Sequence, residues 1–180
     1  MAAIEAIETV YLETAVTSVE FSSLGSYEHL QLRTNLATDS THASGVHRDS
    51  FYLFFNTSVA TTNGDYSVHG MKGEGTSETV SKDTSYNYIY TEFTAGTIKG
   101  ISYFGACVLD ILDYRNGAKN TTTMALEGAT GTGTGTSETG VGFHSGLWDN
   151  VAAVTKLLLT PQIGTNFRRG SEFTLYGIQE

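Results

Sequence analysis

The chain has 180 residues, of which 39% are hydrophobic and only 16% charged, and a formal net charge of −9. That length can bury one real core, and the chain is too apolar and too weakly charged for a disordered polymer. Its ten basic residues are scattered, with only Arg168 and Arg169 adjacent. This argues against a nucleic-acid stripe or an anionic membrane surface, and no run approaches the 18 or so apolar residues of a spanning helix.

Twenty glycines, abundant threonine, ten tyrosines and nine phenylalanines make an all-β composition, because Thr, Tyr, Phe and Val suit a pleated, half-buried surface. The opening "MAAIEAIETVYLETA" has no basic n-region and carries Glu5, Glu8 and Glu13, so it does not read as a secretory leader. Ile4, Ile7, Val10 and Leu12 stand among those glutamates. Residues 1–15 are therefore expected either as an arm that packs on a partner through these four side chains or as an ordinary edge strand. Residues 16–180 are expected as one β-sandwich domain.

Within that domain, "YEHLQLRTNLAT" alternates with period two. It sets Leu30, Leu32, Thr34 and Leu36 on one face and His29, Gln31, Arg33 and Asn35 on the other. "SFYLFFNTSV" predicts a strand covered on both faces, running into a tight turn at Asn63-Gly64, from which "YSVHGMKGEG" returns. "YNYIYTEF" alternates tyrosines with other residues. In "ISYFGACVLDILDY" a strand would turn Cys107, Leu109 and Ile111 one way and Val108, Asp110 and Leu112 the other. Asn116-Gly117 marks a second hairpin, and "NTTTMALEG" pairs back.

Residues 128–142, "GATGTGTGTSETGVG", admit three readings. A phosphate cradle fails: no Lys lies between Lys119 and Lys156, and the glycines never fall as G-x-G-x-x-G. A linker would leave only some 40 residues beyond it, marginal for a separate core. Strand candidates flank the run closely on both sides, so it reads as a hairpin tip. Thr132, Thr134 and Thr136 are then exposed loop residues. Pro161 fits a strand end. Eight to ten strands with frequent turns predict an antiparallel, jelly-roll-like β-sandwich with long loops.

No constellation of catalytic residues stands out, and the chain is not expected to be an enzyme or to hold a metal or cofactor. His42, His47 and Asp49 have only loose ligand spacing. Asp110 and Asp113 would face opposite ways on a strand; the expected roles are a buried, hydrogen-bonded Asp110 and an Asp113 that supports the following turn. His144 and Ser145 are neighbours in sequence and so oppositely directed. His29, on a polar strand face, fits a surface or subunit-contact role. Cys107 reads as a buried thiol in a chain made in a reducing cytoplasm. Trp148 and the tyrosines fit a core or subunit interface better than a sugar platform.

The stretches "VEFSSLGSYEHLQLR", "FGACVLDILDYRN", "GFHSGLWDNVAAVTKLLLTP" and "FTLYGI", in this order, resemble a family of small β-rich virion proteins of tailed bacteriophages. The likeness spans roughly residues 16 to 178. It departs at the glycine–threonine run, which is longer than the family's usual turn. It implies a virion structural protein, made in the host cytoplasm and displayed on the particle as a capsid decoration or cement protein. It further implies a homotrimer that contacts other virion proteins such as the major capsid protein. The alternative is a tail, fibre or baseplate component that binds a host-surface glycan or receptor. A free carbohydrate-binding module is the third reading.

Overall fold

The computed structural model describes residues 3–40, 48–57, 64–74, 77–91, 94–95, 103–129 and 140–179. The described residues form strands and turns and no helix. In chain order the strands are β1 (Ala3–Tyr11), β2 (Val19–Phe21), β3 (His29–Leu36), β4 (Arg48–Asp49), β5 (Phe51–Phe55), β6 (Tyr66–Glu74) and β7 (Ser77–Tyr86). They continue as β8 (Ile89–Tyr90), β9 (Thr94–Ala95), β10 (Gly105–Leu112), β11 (Thr121–Ala129), β12 (Gly140–Trp148), β13 (Leu157–Pro161) and β14 (Glu172–Gln179).

Eight strands form one sheet in the order β1-β14-β3-β10-β11-β12-β6-β7, and four form a second in the order β2-β13-β5-β8. A two-stranded ladder, β4 with β9, completes the set. Every pairing is antiparallel. The protein is therefore an all-β, single-domain, sandwich-like fold whose sheets are unequal, eight strands against four.

The core lies between the two sheets, and the period-two pattern fills it. Leu30, Leu32 and Leu36 from β3 meet Cys107, Leu109 and Ile111 from β10 and Phe173 and Leu175 from β14. The smaller sheet answers with Val19, Phe21, Phe51, Leu53, Phe55, Leu157 and Leu159. β3 buries the Leu30, Leu32, Thr34 and Leu36 face that alternation marks. β10 buries its Cys107, Leu109 and Ile111 face, opposite the Asp110 side that the sequence reading expects in the core. Burying a large aliphatic or aromatic side chain contributes roughly 1.5–3 kcal/mol, so these interdigitated rows hold the layers together.

Three connections refine the sequence reading. β11 and β12 pair from Thr121↔Trp148 to Ala129↔Gly140, so the glycine–threonine run joins two hairpin strands; Thr132, Thr134 and Thr136 lie outside the described residues. β10 and β11 also form a hairpin, but eight residues connect them. Asp113, at φ 51°, opens that turn by accepting the Asn116 amide. β5 and β6, by contrast, do not form the hairpin read at Asn63-Gly64: β5 belongs to the small sheet and β6 to the large one. The chain changes layer there, and turn chemistry alone carries no information about which sheet the next strand joins. Asn63 is outside the described residues; Gly64 adopts φ 73°.

The N-terminal stretch is an edge strand. β1 pairs with β14 along its length, with a bulge between Ala6 and Glu8. Leu12 is buried in the chain's own core, Ile7 and Val10 pack against that core, and Ile4 stays exposed. Leu12 is thus spent internally, and of the four apolar residues Ile4 presents the most surface.

Candidate functional site: an apolar sheet face

The inner face of the eight-stranded sheet is core, and alternation forces every second residue onto its outer face. Register then decides which outer residues become neighbours. Val108 pairs with Leu126, Leu126 with Phe143, Phe143 with Met71 and Met71 with Val80. One continuous apolar row therefore crosses the five adjacent strands β10, β11, β12, β6 and β7. Its members are 39–78% exposed. Val141, one row away, and Met124, one row to the other side, widen it.

At roughly 150–200 Å² for a fully exposed large side chain, these seven residues present on the order of 600 Å² of apolar surface. That is the upper end of what monomeric proteins leave open, about 300–600 Å². A shallow groove of about 340 Å³ runs along the β6–β7 side, lined by Met71, Val80, Leu126, Val141 and Phe143.

Mostly polar residues border the row on one side, with Met124 among them. On the next row Asp110, Met124, Ser145, His69 and Lys82 lie opposite one another in turn across the same five strands. Arg33 of β3 continues the apolar row beyond Val108. Its guanidinium lies 4.9 Å from the centre of the Tyr176 ring, and its Nε donates to Gln31 Oε1 at 2.7 Å. Such stacking and hydrogen bonding hold the cation flat against the sheet.

Directly beneath the row, on the inner face, lies a buried polar pair. His144 Nδ1 is 2.8 Å from Glu127 Oε1, and the two side chains are 2% and 0% exposed. Neither imidazole nitrogen has an aligned hydrogen bond among the described residues. Glycines make the room: a Cβ on Gly142 would come within 2.8 Å of Glu127 Oε1, and one on Gly70 would overlap the imidazole. Cys107 pairs across from Glu127 in register. Burial first, and then the Glu127 carboxylate, push the Cys107 thiol well above its ordinary value. The thiol is therefore held in its protonated, unreactive form.

The other residues singled out from sequence take structural roles. Asp49 is buried, and its carboxylate accepts from Thr38 Oγ1, the Ser50 amide, the Ile163 amide and the Gly164 amide at 2.6–3.0 Å. Those donors occupy the oxygens a metal would need; His42 and His47 are outside the described residues. Among the described residues no group of three or more His, Cys, Asp or Glu could hold a metal ion.

Asp110 is half-buried on the outer face, not in the core, and accepts from Gln31 Nε2 at 2.8 Å. Pairing register turns the Cys107 side of β10 inward and so puts Asp110 outside. Asp113 pairs with Lys119, and its amide donates to His29 Nδ1 at 2.9 Å. Ser145 is exposed while His144 points inward. Trp148 is 4% exposed, stacked on Tyr66 and edge-on to Phe55, so it belongs to the core and offers no sugar platform.

The chain matches no known protein family and no curated protein.

Proposed function

We propose that this protein is a non-enzymatic structural component of a tailed-phage virion, displayed on the particle as a capsid decoration or cement protein. The observation that carries this reading is the continuous apolar row on an open sheet face. A continuous exposed apolar face of that size suits protein–protein contact. The sequence likeness to phage virion proteins supports the setting. A net charge of −9 supports solubility at the high local concentration of a particle surface. In that setting the protein assembles as a closed homo-oligomer, a trimer, and contacts the major capsid protein.

The tail-component alternative needs an aromatic platform for a host-surface glycan. Among the half-buried rings, Tyr52 and Tyr88 stack on each other at 3.6 Å, while Tyr11 is exposed by itself on the edge strand. Tyr52 and Tyr88 thus each spend on the other a face that a sugar would use.

The test is to incubate the purified chain with separated heads and tails of a phage that encodes it. Saturable binding to tail-less heads at a fixed stoichiometry is expected. Binding to tails alone moves the protein to the tail reading, and binding to neither ends the virion reading.

A further inference from the structure

We propose that the free edge of the large sheet at β7 pairs with the same strand of a second copy of this chain, so that two eight-stranded sheets join edge to edge about a two-fold axis at Val80. The contact is made by the edge of the sheet and not by its face, and it does not rest on the virion reading.

The first observation is the difference between the two edges. β1 and β7 are the outermost strands, and among the described residues each has a strand on one side only. Such an edge presents unpaired backbone N–H and C=O groups to any strand that fits it. β1 is blunted: a bulge interrupts it between Ala6 and Glu8, and it carries Glu5 and Glu8 with no basic residue, so two copies of it would oppose only like charges. β7 is not. Its ladder to β6 runs unbroken from Glu74↔Ser77 to Val68↔Asp83. Within that stretch Glu78, Thr79, Val80 and Lys82 are exposed and Ser81 is half-buried.

The second observation is that this stretch complements itself. Glu78, Val80 and Lys82 lie on the outer face, opposite Gly73, Met71 and His69. A two-fold axis perpendicular to the sheet pairs the strand antiparallel with itself and leaves outer residues outer. With the axis at Val80, Val80 meets Val80 of the second copy, Glu78 meets Lys82, and Thr79 meets Ser81. A β-branched pair, opposite charges and a hydroxyl pair are the cross-strand neighbours that stabilise a sheet. A lysine on an edge ordinarily keeps other strands away; the carboxylate placed opposite it here makes the approach selective. An axis at Thr79 would set Val80 against Glu78, and an axis at Ser81 would set it against Lys82. An axis at Glu78 or Lys82 would bring like charges together. One register is therefore favoured, by residues of a single strand and whatever the twist of the sheet behind them.

The third observation is continuity. Val80 is 78% exposed, the most of any member of the apolar row, and it ends that row at the β7 edge. A second β7 at the ordinary strand spacing of about 4.8 Å covers its open flank. The row then runs on through Val80 and Met71 of the second copy.

The test uses the full chain, with circular dichroism confirming the fold of each variant. Val80→Cys puts a thiol on the axis, and the native Cys107 is buried. Under mild oxidation at micromolar concentration, Val80→Cys is expected to form a covalent dimer at least tenfold faster than Ser23→Cys on an exposed loop. Glu78→Cys or Lys82→Cys alone is expected to cross-link no faster than Ser23→Cys, and the two together in one chain to match Val80→Cys. Added to Val80→Cys, either Glu78→Lys or Lys82→Glu is expected to slow the cross-link at least tenfold, and both together to restore it. A Val80→Cys chain no faster than Ser23→Cys overturns the proposal. So does equal cross-linking by Glu78→Cys alone, or a double charge exchange that fails to rescue. The result stands apart from the virion reading: a cross-linked chain that binds no heads sinks only that reading, and head binding without the cross-link sinks only the β7 contact.

Discussion

Removing the Glu127 carboxylate tests the inner face of the sheet most sharply. Glu127 and His144 approach to 2.8 Å with 0% and 2% of their side chains exposed. Neither can turn to water when the other is lost. Taking one partner out of such a pair costs about 3–5 kcal/mol, because the survivor is left buried and uncompensated. Glu127→Ala is therefore expected to cost about 3–5 kcal/mol, a large share of a domain's total of roughly 5–15 kcal/mol. Glu127→Gln keeps the volume and a carbonyl oxygen and exchanges one carboxyl oxygen for an amide nitrogen, so about 1–3 kcal/mol is expected. Replacing both partners with shape-matched apolar residues, Glu127→Met with His144→Leu, is expected to be neutral or stabilising by about 1–4 kcal/mol. Urea unfolding at constant slope reads all three. A Glu127→Ala cost below about 1 kcal/mol, or a double variant as weak as the single one, would refute the buried pair.

Two further predictions concern the frame around this site. A Cβ on Gly177 would overlap the Tyr27 ring, whose hydroxyl donates to Glu5 Oε2 at 3.0 Å and so links β1 to the β2–β3 connection. Gly177→Ala is expected to cost about 1–3 kcal/mol through overpacking. Adding Tyr27→Ala should leave the Gly177 substitution almost free; equal costs with and without the ring would show that the two do not touch. Asp39 is pushed up by partial burial, but amide and side-chain hydrogen bonds from Asn166 and the Thr165 amide outweigh this and hold it below its ordinary 3.8. A carboxylate depressed in the folded state stabilises above its unfolded value and loses that contribution as pH falls through the folded value. Asp39→Asn is thus expected to lower the melting temperature at neutral pH and to narrow its drop on acidification, and an unchanged acid limb would contradict this.

The sequence made the layers legible where alternation was clean. In β3 Leu30, Leu32 and Leu36 recur at every second position or its multiple and could be assigned to one face. β10 is apolar on both sides, so Cys107, Leu109 and Ile111 could be grouped but not identified as the core face. Asn116-Gly117 located a reversal, although not its length. The apolar row was not legible, because each strand contributes one or two of its members and only register aligns them. In β12, for example, Phe143 stands among Val141, Ser145 and glycines. The Glu127–His144 pair left a fainter signal: the alternation of "TTTMALEGA" puts Glu127 on the same face as Ala125 and Thr123. Its partner lies two strand positions away on β12, and no local pattern links them. Layer changes such as β5 to β6 are decided by tertiary packing, which the turn residues do not encode.

The central claim is that the outer face is covered when the protein is in place on a particle. Cys107 is buried, with its thiol held protonated, so a cysteine introduced at the surface is the reactive one. Leu126→Cys places a thiol in the middle of the row, and Ser23→Cys places a control on an exposed loop. Maleimide labelling is measured on the free chain at nanomolar concentration and on purified particles that carry it. The account predicts that both variants label alike when free, and that on particles Leu126→Cys labels at least tenfold more slowly than Ser23→Cys. Equal labelling of the two on the particle would contradict it.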